Sequence, residues 1–188
     1  PPRGRVGLPD PLPVASDGLN RRRLGGARVQ IHPVHGRGDD LDRLAAWFVL
    51  VYTGIKRRAS EVLQAQIANT TKRKVDAELE ALVALVDESH RIFESNRGDE
   101  LPVELARLLS ESWRLKKRLS PRVSTTEIDD LYDRCLGGGA LAGKLCGAGV
   151  GGLVMVVIPA TLRAALWVSV GAVRSVTFRV GTAVSVVS

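Results

Sequence analysis

The sequence predicts an α+β fold in which a small, mainly antiparallel sheet packs against a block of four to five helices. Two observations carry that expectation. Continuous apolar, β-branched runs lie towards both ends of the chain, at residues 47–52 and 153–158, and the stretch between them repeats apolar residues at helical spacing. The 188 residues, 45% of them apolar, suffice for one domain core, and the 25% charged fraction argues against disorder as the dominant state.

Taken in order, residues 1–27 combine Pro1, Pro2, Pro9, Pro11 and Pro13 with five glycines, which predicts an irregular leader. Val29 and Ile31 followed by Pro33 predict a short edge strand, because proline cannot donate to a ladder. A polar turn near 36–40 leads into residues 41–46. The aromatic and β-branched run 47–52 then reads as a buried strand, stopped by Thr53-Gly54. From Ala59 the composition turns helical, with Val62, Leu63 and Ile67 on the apolar side. Val75, Leu79, Leu82, Val86 and Phe93 stack on one face of the next helix, which Gly98 closes. Leu101, Leu105, Leu108, Leu115 and Leu119 repeat that spacing behind Pro102, so a short loop joins two antiparallel helices. Ser120-Pro121 breaks the pattern, and Thr126 opens a helix over 127–136 that ends in glycines 137–139. A strand at 140–146, a glycine loop, a strand at 153–158, a helix over about 160–170 and a strand at 175–180 complete the chain. The expected division is a leader, 1–27, and one domain, 28–188.

The formal net charge of +7 is uneven: residues 1–37 hold seven Arg and two Asp, leaving +2 for the rest. Charge placed this way describes a tail, not a nucleic-acid-binding face of the folded body, and the few aromatic residues offer no base-stacking platform. The triplets at 56–58, 72–74 and 116–118 read as solvated helix ends. Residues 145–162 carry no charge, yet four glycines at one end and Pro159 at the other fit a loop and strand better than a membrane span. Two cysteines without metal-ligand spacing, and no apolar run in residues 1–12, make the cytoplasm the expected compartment. His32 and His35 have no third ligand to follow, so no metal site is read from them.

Chemistry concentrates in residues 137–152, GGGALAGKLCGAGVGG. Gly138, Gly143 and Lys144 nearly satisfy the phosphate-cradling pattern of nucleoside triphosphatases. Leu145, however, stands where a hydroxyl should hold Mg²⁺, and no helix follows. Gly147, Gly149 and Gly152 satisfy the dinucleotide pattern by letter, but a strand follows them and no Asp or Glu occurs after Asp133. Without wider context these glycines would be read first as permitting tight strand packing, and Lys144 as a solvated charge.

That context is supplied by residues 51–60 (VYTGIKRRAS), 111–120 (ESWRLKKRLS) and 139–152, in this order. Together they resemble the GHMP small-molecule kinases, and among them the heptose 7-phosphate kinases, over roughly residues 27–180. The resemblance implies a ferredoxin-like C-terminal kinase domain, with the leader a remnant of the N-terminal domain. It implies ATP and Mg²⁺ as cofactors, and transfer of the γ-phosphoryl group to the anomeric hydroxyl of a phosphorylated heptose in the synthesis of nucleotide-activated sugars for the cell envelope. It implies a phosphate loop at Gly147, Ala148, Gly149, Gly151 and Gly152, and substrate contacts at Thr53, Gly54, Arg57 and Lys144. Spacing from Gly7 to Asn20 follows the family's aspartate-containing segment and implies Asp10 as the catalytic aspartate. Val150 interrupts the family's glycine run, and its N-terminal and central phosphate motifs have no counterpart here. The chain alone is therefore expected to be weak or inert, and a non-catalytic interaction module or truncated kinase remnant is the alternative. Partners are ATP and a phosphorylated sugar, with neither nucleic acid nor membrane expected. Trp113, which interrupts the leucine stripe, reads as a helix-packing residue.

Overall fold

The computed structural model describes residues 19–25, 28–34, 40–55, 59–95, 98–147, 149, 151–171 and 175–176. Strands β1 (Asn20–Gly25) and β2 (Arg28–Pro33) form an antiparallel two-stranded sheet of their own. The irregular leader expected as far as residue 27 thus gives way to a strand at Asn20. Arg21, Arg22 and Arg23 show no apolar alternation that would announce it; pairing with β2 satisfies their backbone groups instead.

Helix α1 (Asp40–Trp47) leads directly into β3 (Phe48–Tyr52), with Leu44 and Ala45 buried. Helices α2 (Ala59–Thr71), α3 (Asp76–Ser95), α4 (Glu100–Leu119) and α5 (Thr126–Gly137) follow. Strands β4 (Ala142–Leu145) and β5 (Leu153–Val157), a 3-10 turn at Ala160–Leu162, helix α6 (Arg163–Val170) and β6 (Ser175–Val176) complete the order. Among the described residues this gives six helices, one more than the pattern predicts, because residues 41–46 belong to α1.

The main sheet runs β4-β5-β3-β6 with every neighbouring pair antiparallel. With helices between β3 and β4 and between β5 and β6, this is the ferredoxin-like arrangement. The register sets Val49 opposite Val156 and Val51 opposite Val154. These residues and Leu145 turn one face towards Ile128, Leu131 and Cys135 of α5 and Leu166 and Val170 of α6, and all of them are buried. The opposite face, through Ala142, Val157 and Phe48, meets Ala106 and Leu109 of α4. Side chains alternate along a strand, so Lys144, two residues from Ala142, shares the α4 side.

The antiparallel pair α3–α4 is joined through Gly98 at φ +59, a conformation glycine adopts without penalty. Leu101, Leu108 and Leu115 of the α4 stripe are buried as their spacing predicts. Helix α3 departs from its predicted stripe: Val86 is 47% exposed, while Ile92, outside that stripe, is buried. A five-residue list at mixed three-and-four spacing does not distinguish the contact line with α4 from positions one step around the cylinder. No helix among the described residues is long and apolar enough to cross a membrane, and 153–157 lies in the sheet.

Candidate functional site

The glycine segment is the connection between β4 and β5, whose strands pair directly on either side of it. Gly147, Gly149, Gly151 and Gly152 have φ values of +73, +126, +148 and +97, a region closed to most other residues. Two of them also press against the scaffold. A Cβ on Gly149 would stand 2.8 Å from the Val123 carbonyl oxygen, and one on Gly151 would stand 2.5 Å from that of Ile55. Gly147 and Gly152 face open space. The loop is therefore wedged, through Gly149 and Gly151, between the segment after β3 and the turn before α5.

Thr53 and Gly54 are brought against this loop. The Thr53 N–H donates to the Gly152 carbonyl at 2.9 Å, and its hydroxyl donates to the same oxygen at 3.1 Å while accepting from the Ile55 N–H at 3.2 Å. The Gly152 N–H closes the ring on the Ile55 carbonyl at 3.3 Å. The Thr53 hydroxyl is thereby committed to shaping the loop, so its place is that of a positioning residue. Gly54 is exposed at φ +74. Asp10, Arg57, Ala148 and Val150 lie outside the described residues.

Helix α4 supplies a feature the sequence pattern conceals. Lys116, expected to be a solvated helix end, is half-buried and donates to the carbonyls of Leu145, at 3.2 Å, and of Gly147. It fastens the entry of the loop to α4. Its neighbour Lys117 instead reaches Asp129 at 3.3 Å and lies over the Trp113 ring. Lys144 is likewise half-buried and donates to the Ser112 hydroxyl at 2.8 Å. Successive helix turns place Ser112 and Lys116 on one side of α4, and β4 runs alongside. The useful sequence signal was the four-residue interval between Ser112 and Lys116, hidden within a run of three basic residues.

Burial lowers the Lys116 ammonium from 10.5 to about 8, with Lys144 pushing the same way and Cys146 opposing. Burial lowers Lys144 too, and raises the Cys146 thiol. A base whose pKa falls on folding costs stability while it is charged. That cost is fully present below about pH 8 and is relieved as pH rises towards 10.5. The stability of the native chain relative to Lys116→Met is therefore expected to climb through this window. Parallel urea unfolding of the two proteins measures it, and a pH-independent difference would contradict the burial of the ammonium.

Among the described residues, the N–H groups of Gly147, Gly149 and Gly151 donate to no backbone carbonyl. Backbone N–H groups of glycine, which carries no side chain, suit the oxygens of a phosphate. Fit to Mg²⁺ is a different matter. No group of three or more His, Cys, Asp or Glu able to hold a metal ion occurs among the described residues, so these residues do not supply its ligand set.

Residues 99–169 match the family described as GHMP kinases C terminal. The chain is 30% identical over 136 residues to D-glycero-alpha-D-manno-heptose 7-phosphate kinase of Campylobacter jejuni, a match covering 72% of this chain and 39% of that relative. It therefore spans about two fifths of the relative's length. Among solved structures, L. major mevalonate kinase in complex with R-mevalonate superposes with a TM-score of 0.61 at 21% identity, over 81% of this chain and 44% of that one. Lactococcus lactis galactokinase complexed with galactose gives 0.58 at 15% identity, over 88% and 52%. Likenesses this distant show a shared fold.

Proposed function

We propose, from the match of residues 99–169 to the family described as GHMP kinases C terminal, that the chain is the C-terminal part of an ATP-dependent sugar kinase. Its acceptor is a heptose 7-phosphate, and the phosphoryl group goes to the anomeric hydroxyl. The observation that carries this reading is the β4–β5 loop, with four glycines at positive φ and three N–H groups without a backbone acceptor among the described residues. The heptose 7-phosphate kinase relative favours that acceptor over those of the other family members.

In this reading Gly147, Ala148, Gly149 and Gly151 turn backbone N–H groups towards the anionic oxygens of the transferring phosphate, while Gly152, whose N–H is held by the Ile55 carbonyl, closes the phosphate loop behind them. Fixed dipoles of this kind oppose developing charge without having to reorient. Thr53 and Gly54 hold the loop's shape, and Lys144 and Arg57 meet the acceptor. Asp10 takes the proton of the attacking hydroxyl. ATP supplies the phosphoryl group, and Mg²⁺ is assigned no ligands here.

The test is ³¹P NMR of the chain mixed with ATP, Mg²⁺ and heptose 7-phosphate, alongside calorimetric titration of each substrate. Saturable binding of both, with slow appearance of an anomeric phosphate, is the expected result. Fast transfer would contradict the expectation that this chain is weak without the family's other two phosphate motifs. If neither substrate binds, the kinase reading fails.

A further inference from the structure

We propose that Lys116, Lys144 and Ser112 form an anion site beside the glycine loop that takes a phosphate group, distinct from the backbone donors of the loop itself. This rests on the kinase reading only in naming the phosphate's source. The site itself follows from donor counting.

An ammonium has three N–H donors and no acceptor. Lys116 spends two, on the carbonyls of Leu145 and Gly147. Lys144 spends one, on the Ser112 oxygen. One N–H of Lys116, two of Lys144 and the Ser112 hydroxyl proton remain, four donors gathered where α4 crosses β4, without an acceptor for them among the described residues.

The charges are equally one-sided. Among the described residues no carboxylate pairs with either ammonium; Glu111 is taken by Arg114, and Asp129 by Lys117 and Ser124. The titratable groups acting on the pair are Cys146, whose thiol burial pushes up, and, for Lys116, Lys144 itself. Two half-buried cations side by side repel each other and lose hydration. An arrangement that is unfavourable in the empty protein and matches a dianion in charge and in hydrogen-bond polarity is the mark of a binding site. A phosphate monoester near neutral pH is such a dianion. Two sources share that chemistry: the ester already on the acceptor sugar and the phosphates of the nucleotide.

The experiment follows the ¹³Cε resonances of labelled lysines in the full chain during pH titration, with and without inorganic phosphate, heptose 7-phosphate, unphosphorylated heptose or ATP. Phosphate is expected to move the titration of Lys116 upward from about 8, towards the ordinary lysine range. Lys144→Met and Lys116→Met should each weaken phosphate binding about tenfold, as the loss of one charge-assisted contact does. Lys117→Met, the same charge change one residue away, should leave it unaltered. Should Lys116→Met loosen the loop, Lys144→Met with retained amide spectra carries the test. A heptose 7-phosphate response without one from unphosphorylated heptose assigns the ester of the acceptor; a response to ATP instead assigns the nucleotide. If neither inorganic phosphate nor any phosphate ester moves either lysine, or if Lys117→Met weakens binding as much, the site is overturned. Binding is read without turnover, so lysines that respond to inorganic phosphate in a chain that binds neither ATP nor heptose 7-phosphate would sink the kinase reading and leave the site standing.

Discussion

Gly151→Ala is expected to unfold the β4–β5 loop and to cost the chain more stability than alanine at any other described glycine of that loop. Its φ of +148 is strained for any side chain, which costs about 1–3 kcal/mol. The new methyl would also stand 2.5 Å from the Ile55 carbonyl oxygen, so either the loop or the end of β3 must move. That displacement breaks the bond from the Gly152 N–H to the same oxygen. Gly149→Ala should come next, against the Val123 carbonyl at 2.8 Å. Gly152→Ala and Gly147→Ala meet open space and carry backbone strain alone, least at Gly147, whose φ of +73 lies near the left-handed region. Urea midpoints of the four variants give the order. Equal losses at all four would mean that contact with Ile55 and Val123 does not shape the loop.

A second large effect is expected at Trp113. It is 2% exposed, joins α4 to the main core and approaches Tyr132 with ring centroids 6.4 Å apart. Trp113→Ala should cost about 3–5 kcal/mol, the usual loss on emptying a buried aromatic site. Trp113→Phe should cost much less. The indole N–H is buried without a partner among the described residues, so phenylalanine removes an unsatisfied donor while keeping most of the ring's contacts. Denaturant unfolding of the pair separates packing from hydrogen bonding; an equally severe phenylalanine variant would show that the indole N–H has a partner after all.

The elements that were legible in the sequence are those whose residues report their own environment. Val49, Val51, Val154 and Val156 lie in uninterrupted apolar runs because the central strands are covered on both faces. The leucines of α4 repeat at helical spacing because one side of that helix meets α3. Where the partner decides, the sequence is mute. Strand β1 is built around three arginines that become a strand only by pairing with β2, and Ile92 replaces Val86 in the core according to how α3 lies on α4. The site divides the same way. Glycines announce a loop of unusual backbone, whereas Lys116 reads as one of three solvated basic residues until β4 is laid beside α4.

The helical excursion between β3 and β4 has a kinetic consequence. The bond from the Thr53 hydroxyl to Gly152 spans 99 residues, and the ladder of β3 with β5 that carries it is just as non-local. Closing so long a segment consumes chain entropy before any of these contacts forms, and topologies of this kind fold slowly. The helices α3 and α4 can pair locally and early, but the glycine segment gains its shape only when β3 and β5 have met. Recovery of the loop's amide signals during refolding should therefore lag behind that of helical circular dichroism.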